Sequence, residues 1–143
     1  MSTPPQNQVK SYIGFTPTGG NPSYRTQRSS DQGRLGGAPL NIGNDQEEIS
    51  IYAYLFRNLN AAAVYINIFA LPAEQVKAGS IPIGRIEIPG TSNPPNQLIG
   101  PMLFTPYYYG QAGMSMTAST IDADGSAVGN APASPVYFEL VIA

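Results

Sequence analysis

The chain has 143 residues, enough for one domain with an extension, and it contains neither cysteine nor histidine. Disulfides, thiolate metal sites and the common nucleophile–base pairs of hydrolytic enzymes are therefore excluded, and we expect a non-enzymatic protein with no catalytic residue, no cofactor and no metal ion. The net charge is −2, and only 11% of the residues are charged, compared with about 25% in typical domains. A surface with so little charge favours association with partners, although uncharged polar loops would give the same composition.

Residues 1–48 are predicted to form an extended N-terminal arm. In this segment the large apolar residues stand singly or in small groups among Gly, Pro, Ser, Thr, Asn and Gln. Such a segment buries too little apolar surface to offset the entropy lost on ordering, about 1–2 kcal/mol per residue for the backbone. We therefore expect the arm to become ordered on neighbouring subunits of an assembly.

The arm contains one cluster of large apolar residues, formed by Tyr12, Ile13 and Phe15. An extended segment of this kind can add a strand to the sheet of a partner or fill a groove on it. We expect these three residues to anchor the arm. The structural alternative is a short added strand with no partner.

The arm is also the basic part of the chain. Residues 1–44 carry four basic residues and one acidic residue, whereas the remainder carries three basic and eight acidic residues. This asymmetry favours contacts between copies or docking on an acidic neighbour, with Arg25, Arg28 and Arg34 as candidate contacts. A nucleic-acid partner is not favoured, because the basic residues are spread over 25 positions instead of forming a clustered patch.

The pattern changes to strict alternation at residue 49. Residues 49–56 and 64–69 each place aliphatic side chains at every second position, and the sequence Asn58-Leu59-Asn60 between them has the composition of a turn. The two segments are predicted to pair as antiparallel strands. One helical turn can follow within residues 71–77.

Further strands are predicted at residues 81–88, 98–104, 114–121 and 136–142. Gly84 is expected to form a bulge, and Gly100-Pro101 places its strand at a sheet edge, because proline cannot donate to a neighbouring strand. Short strands, frequent turns and no helical stretch indicate one all-β domain at residues 49–143. We expect a single antiparallel β-sandwich of the jelly-roll or Ig-like type.

Three consecutive tyrosines, Tyr107, Tyr108 and Tyr109, are candidates for an interface or for a platform that stacks on a sugar. Side chains that follow one another in a strand point to opposite faces, so three rings cannot form one platform. Packing in an interface is therefore favoured, and these residues are interface candidates.

Two charged groups have a structural and a functional interpretation. Asp122-Ala-Asp124-Gly125 resembles the start of a calcium loop, but its further acidic ligands are absent and Asp-Gly is a strong turn signal, so a turn is predicted. Arg85 and Glu87 share one strand face, either as solvated side chains or as an ion pair between subunits.

Five segments follow one another in a characteristic order: 53–58, 63–72, 86–90, 113–119 and 135–140. This order resembles that of small virion proteins of tailed bacteriophages, and the resemblance covers about two thirds of the chain. It implies the β-sandwich of these proteins and a structural or decorating role, often as cement between capsomers, with no catalytic residue to carry over.

We therefore expect a capsid cement or decoration protein, located in the virion after synthesis in the host cytoplasm. The sandwich would form a homo-oligomer, such as a trimer or another small ring, and the arm would contact the major capsid protein or another virion protein. A membrane partner is not expected, because no apolar stretch is long enough. The alternatives are a head-to-tail adaptor, a tail or fibre-base protein, and a carbohydrate-binding module.

Overall fold

The computed structural model describes residues 9–18, 38–43, 47–76, 80–120 and 131–143. These ranges contain nine strands and one short 3-10 turn at Ala73–Gln75. The strands are β1 (Lys10–Phe15), β2 (Leu40–Asn41), β3 (Ile49–Asn58), β4 (Val64–Phe69), β5 (Gly84–Ile88), β6 (Gln97–Gly100), β7 (Tyr108–Gly110), β8 (Ser115–Ser119) and β9 (Val136–Ile142).

The strands form two antiparallel sheets that make a β-sandwich-like arrangement, as the alternation predicted. The five-stranded sheet has the order β1-β9-β3-β6, and β7 pairs with the first part of β3. The four-stranded sheet has the order β2-β8-β4-β5. The predicted all-β class is therefore confirmed.

The core lies between the sheets and is filled by every second residue of the central strands. Phe56 and Phe138 come from the five-stranded sheet, and Ile66 and Met116 come from the four-stranded sheet. All four are at most 1% exposed. Burial of such a side chain stabilises the fold by roughly 1.5–3 kcal/mol, so the core supplies the main favourable term.

The predicted pairing of residues 49–56 with residues 64–69 is wrong. Strand β3 pairs with β6, β7 and β9, whereas β4 pairs with β5 and β8 in the other sheet. The connection crosses between the sheets, and the buried Asn58 side chain holds it by donating to the Ala62 carbonyl oxygen at 2.9 Å and accepting from the Asn60 backbone NH at 2.8 Å. Alternation identifies the buried face of a strand but not the neighbour of that strand, so both arrangements fit the same pattern.

The sandwich also includes the described parts of the predicted arm. Strand β1 pairs with β9 along its whole length, from Lys10 opposite Ile142 to Phe15 opposite Tyr137, and β2 pairs with β8. The Thr16 backbone NH extends this pairing by donating to the Val136 carbonyl oxygen at 2.9 Å. The domain therefore has strands on both sides of the boundary expected after residue 48.

The predicted bulge at Gly84 and the predicted edge strand at Gly100-Pro101 have different outcomes. The ladder irregularity lies in β3 between Ile51 and Ala53, not at Gly84 as expected. Gly84 instead leaves room for the Tyr108 ring, since a Cβ atom there would lie 2.2 Å from a ring carbon. Strand β6 lies at the edge of its sheet, as predicted, but it ends at Gly100 instead of continuing to residue 104.

Candidate functional site

The candidate site is the outer face of the five-stranded sheet. This outer face consists of the side chains of β1, β9, β3 and β6 that point away from the core. The cross-strand register aligns these side chains in two rows. One row is Ile13–Glu139–Leu55–Ile99, and the other is Phe15–Tyr137–Arg57–Gln97.

Large apolar side chains are exposed at both ends of these rows. Ile13 and Phe15 on β1 are each 56% exposed, and Ile99 on β6 is 60% exposed. Leu59, which follows β3, is also exposed. Scattered exposed apolar residues are normal on a protein, but a group that shares one sheet face indicates a contact surface.

The outer face contains a hollow of about 360 Å³ beside Phe15 and Tyr137. The two rings meet edge to face, with 5.4 Å between their centroids. The remaining lining residues are Leu55, Arg57, Leu59, Gln97 and Glu139. An apolar floor with polar groups beside it can hold a side chain of a partner and orient it.

Two opposite charges lie in the middle of the outer face. Arg57 is exposed and Glu139 is half-buried. Desolvation raises the pKa of the neighbouring Tyr137, and a hydrogen bond with Glu139 raises that pKa further. The carboxylate is thus placed as an acceptor beside the exposed apolar side chains of this face.

The predicted anchor residues fall into two groups in the structure. Tyr12 points toward the core, where its ring stacks on Phe138 at 5.7 Å and its hydroxyl donates to the Asn41 carbonyl oxygen at 2.8 Å. Ile13 and Phe15 lie on the outer face. Only these two of the three residues are available to a partner while β1 stays in the sandwich, and their binding role stays a prediction.

The three consecutive tyrosines point in different directions. Tyr108 is half-buried against the core, and burial raises its pKa. The Tyr109 hydroxyl donates to the Glu48 carboxylate at 2.5 Å, a bond that raises the Tyr109 pKa. The Tyr107 hydroxyl donates to the Pro101 carbonyl oxygen at 2.8 Å. Each of the three tyrosines therefore contacts a different part of the chain, through its ring or its hydroxyl. The described rings form no common platform.

A second exposed apolar group was not expected from the sequence. Met102, Leu103 and Phe104 follow β6 and are exposed, and Phe104 is 104% exposed. The Leu103 backbone NH donates to the Tyr52 carbonyl oxygen at 3.1 Å, which fixes the start of this loop on β3. The sequence predicts a strand over residues 98–104, whereas β6 ends at Gly100, because so short an apolar run can belong either to a strand or to a loop.

The remaining residues predicted to contact partners or to form a turn fall into two groups. Some lie outside the described residues, and the others contact residues of their own chain. Arg25, Arg28 and Arg34 are not among the described residues, and neither are Asp122 and Asp124.

Arg85, which was considered for an ion pair between subunits, donates from Nε to the Asn67 Oδ1 atom at 2.9 Å. Glu87 lies opposite Tyr65, whose hydroxyl is 3.4 Å from the Glu87 carboxylate. Both side chains thus contact strand β4 of their own sheet.

Within the described ranges, no three His, Cys, Asp or Glu side chains are grouped so that they could hold a metal ion. The same ranges contain no helix with the length and apolar character needed to cross a membrane. Comparisons with protein-family models, curated proteins and solved structures find no match for this chain.

Proposed function

We propose that this protein is a structural subunit of a virus particle, a cement or decoration protein that stabilises a capsid by binding other proteins. The observation that supports this proposal best is the outer face, with Ile13, Phe15, Leu59 and Ile99 exposed together. Protein contacts are the usual reason for a grouped apolar surface of this kind. The resemblance of residues 53–140 to small phage virion proteins supports the capsid as the assembly.

The proposal assigns separate roles to the two exposed apolar groups. The outer face is a broad surface suited to another sheet or to a flat protein surface. The loop with Phe104 presents one large side chain at its tip, which suits insertion into a pocket on a partner. Two such surfaces allow a subunit to contact a second copy and the major capsid protein, or another virion protein, at the same time.

Attachment through two weak contacts is stronger than either contact alone, because the second contact forms at a high effective concentration. A homo-oligomer such as a trimer or another small ring would multiply the contacts with a symmetric capsid. Arg25, Arg28 and Arg34 would add charge attraction to an acidic neighbour.

The proposal is tested by measuring the number of copies of this protein in purified particles by quantitative mass spectrometry. A number similar to that of the capsid subunit supports a cement or decoration protein. A number that matches a single ring supports the alternative of a head-to-tail adaptor or a tail or fibre-base protein. Absence from particles would contradict both.

The binding surfaces are tested with Phe104→Ser and Ile99→Thr, each of which removes an exposed apolar side chain without opening the core. Both variants should fold as the unaltered protein does and occupy fewer sites on particles. Gln75→Ala, on the exposed 3-10 turn, is the matched control. Normal occupancy of both surface variants would show that neither group attaches the protein.

A carbohydrate-binding module is a second candidate, and the hollow beside Phe15 and Tyr137 supports it. Aromatic rings beside Arg57, Gln97 and Glu139 resemble the contacts that proteins make with sugar rings and hydroxyls. Glycan-array binding that is lost in Tyr137→Ala but kept in Tyr108→Phe would support this candidate over the structural role.

A further inference from the structure

We infer that the outer face binds the same face of a second copy of this chain, to form a two-fold symmetric dimer. The inference deepens the proposed function, on which it rests, by naming one partner of this surface. It depends on an arrangement of charge that makes the outer face complementary to itself.

The charges stand at diagonal positions in the middle of the outer face. Arg57 lies opposite Tyr137, and Glu139 lies opposite Leu55, on the neighbouring strands β3 and β9. Diagonal neighbours of this kind have Cα atoms about 7–8 Å apart. Both side chains line the hollow of the outer face, and no third charged residue is among its lining residues.

A two-fold axis can join these charges between copies. When the axis lies between the two faces, perpendicular to the line from Arg57 to Glu139, it places each Arg57 against Glu139 of the other copy. The ion pair then forms twice. The other diagonal lies along the axis, so Tyr137 meets Tyr137 and Leu55 meets Leu55, and apolar surface covers the centre of the interface.

A second copy explains the charges better than a partner of arbitrary sequence would. A purely apolar partner would bury Arg57 and Glu139 without supplying a polar group to either, which is unfavourable. A partner of one charge sign would satisfy one of them and repel the other. The same face carries both signs, and its two-fold image therefore supplies both.

The dimensions of the outer face predict a weak dimer. Strands about 4.8 Å apart make the outer face about 14 Å wide from β1 to β6. Residues about 3.4 Å apart make it about 14 Å long from Ser11 to Phe15 on β1, and only about 7 Å long from Gln97 to Ile99 on β6. A standard interface buries about 800 Å² on each partner, which exceeds the area of this patch. We therefore expect an equilibrium between monomer and dimer that shifts with protein concentration.

The test is sedimentation equilibrium of the full chain between about 1 µM and about 1 mM, a range that covers weak association. The unaltered protein should change from monomer to dimer with rising concentration. Arg57→Glu and Glu139→Arg should each weaken the dimer about tenfold or more, because each reversal places like charges together twice. The double variant Arg57→Glu/Glu139→Arg should dimerise again, since the exchange restores both pairs.

Matched controls carry the same charge changes at exposed positions away from the outer face. Lys10→Glu controls Arg57→Glu, and Glu74→Arg controls Glu139→Arg, and both should dimerise normally. Circular dichroism and a urea midpoint show that each variant is folded.

A monomer at every concentration, or a folded double variant that fails to dimerise, would overturn the inference. A monomer that still occupies purified particles would leave the proposed function standing. A dimer that is absent from particles would overturn that function and leave the dimer.

Discussion

The outward sides of the two sheets differ in a way that reverses the usual arrangement of a sandwich. On the five-stranded sheet the outer face exposes Ile13, Phe15 and Ile99. On the four-stranded sheet the residues that alternate with the core include Asn67, Ser115, Thr117 and Ser119, and these four are fully buried. One outward side thus exposes large apolar side chains, whereas the other buries a group of polar side chains.

The buried polar side is stabilised by hydrogen bonds within the chain. Asn67 donates from Nδ2 to Thr117 Oγ1 at 3.2 Å and to Ser119 Oγ at 3.0 Å, and it accepts from Arg85 Nε at 2.9 Å. The Ser115 hydroxyl donates to the Leu71 carbonyl oxygen at 2.8 Å. Buried polar groups are stable only when they are paired in this way. The buried polar side chains of the four-stranded sheet have partners inside the chain, whereas the exposed apolar side chains of the five-stranded sheet are available to partners outside it.

The largest effect is expected at Phe138, the core residue on which β1 packs. The Phe138 ring stacks on Tyr12, and a Cβ atom at Gly14 would lie 3.0 Å from it, so β1 packs closely on this ring. Phe138→Ala should lower the free energy of unfolding by about 3–5 kcal/mol and release β1, with the exposed Ile13 and Phe15. Urea denaturation measures the loss, and faster amide exchange at residues 10–15 than at β4 shows where it acts.

The buried polar side is tested by Asn67→Ala. The change removes an acceptor for Arg85 and a donor to two buried hydroxyls, so we expect a loss of about 2–3 kcal/mol in the free energy of unfolding. Gln75→Ala, at an exposed position, should change that energy by less than about 0.5 kcal/mol. Equal effects of the two substitutions would show that the polar network does not stabilise the sheet.

A substitution among the exposed apolar side chains should change association and leave the free energy of unfolding nearly unchanged. Ile99→Thr keeps a β-branched side chain on an edge strand and removes exposed apolar surface, so it should change the free energy of unfolding by less than about 0.5 kcal/mol. Association of the protein should nevertheless fall. A large loss of stability in urea denaturation would mean that Ile99 supports the fold and is not free for partners.

Tyr108 should make the stability of the fold depend on pH, but only at alkaline pH. Burial raises the pKa of Tyr108 above the ordinary value for tyrosine, which is about 10. Because the unfolded chain then releases this proton at lower pH than the folded chain, stability is fully present below about pH 10 and falls as the pH rises further. Tyr108→Phe should reduce this loss. Urea midpoints measured from neutral to alkaline pH should show the difference, and parallel profiles would contradict the assignment.

The sequence predicted the parts of this protein that depend on local alternation. It identified the principal strands, the edge position of β6 at Gly100-Pro101, and the divergence of Tyr107, Tyr108 and Tyr109. These results follow because a strand directs successive side chains to opposite faces whatever its neighbours are.

The candidate site could be predicted only in part. Arg57, Glu139 and Ile99 are distant in the sequence, and no local pattern connects them. They share one face because β3 pairs with both β9 and β6. The Phe104 loop was also missed, since an apolar run beside Gly100-Pro101 has the composition of a buried strand.

Sequence alone determined the all-β class of this chain and most of its strands within residues 49–143, because alternation is a local property of the backbone. Tertiary structure decided which strands are neighbours, and therefore that β3 and β4 lie in different sheets and that β1 belongs to the sandwich. It also decided which outward side is covered. Pairing and covering depend on contacts between residues far apart in the chain, and local periodicity carries no information on them.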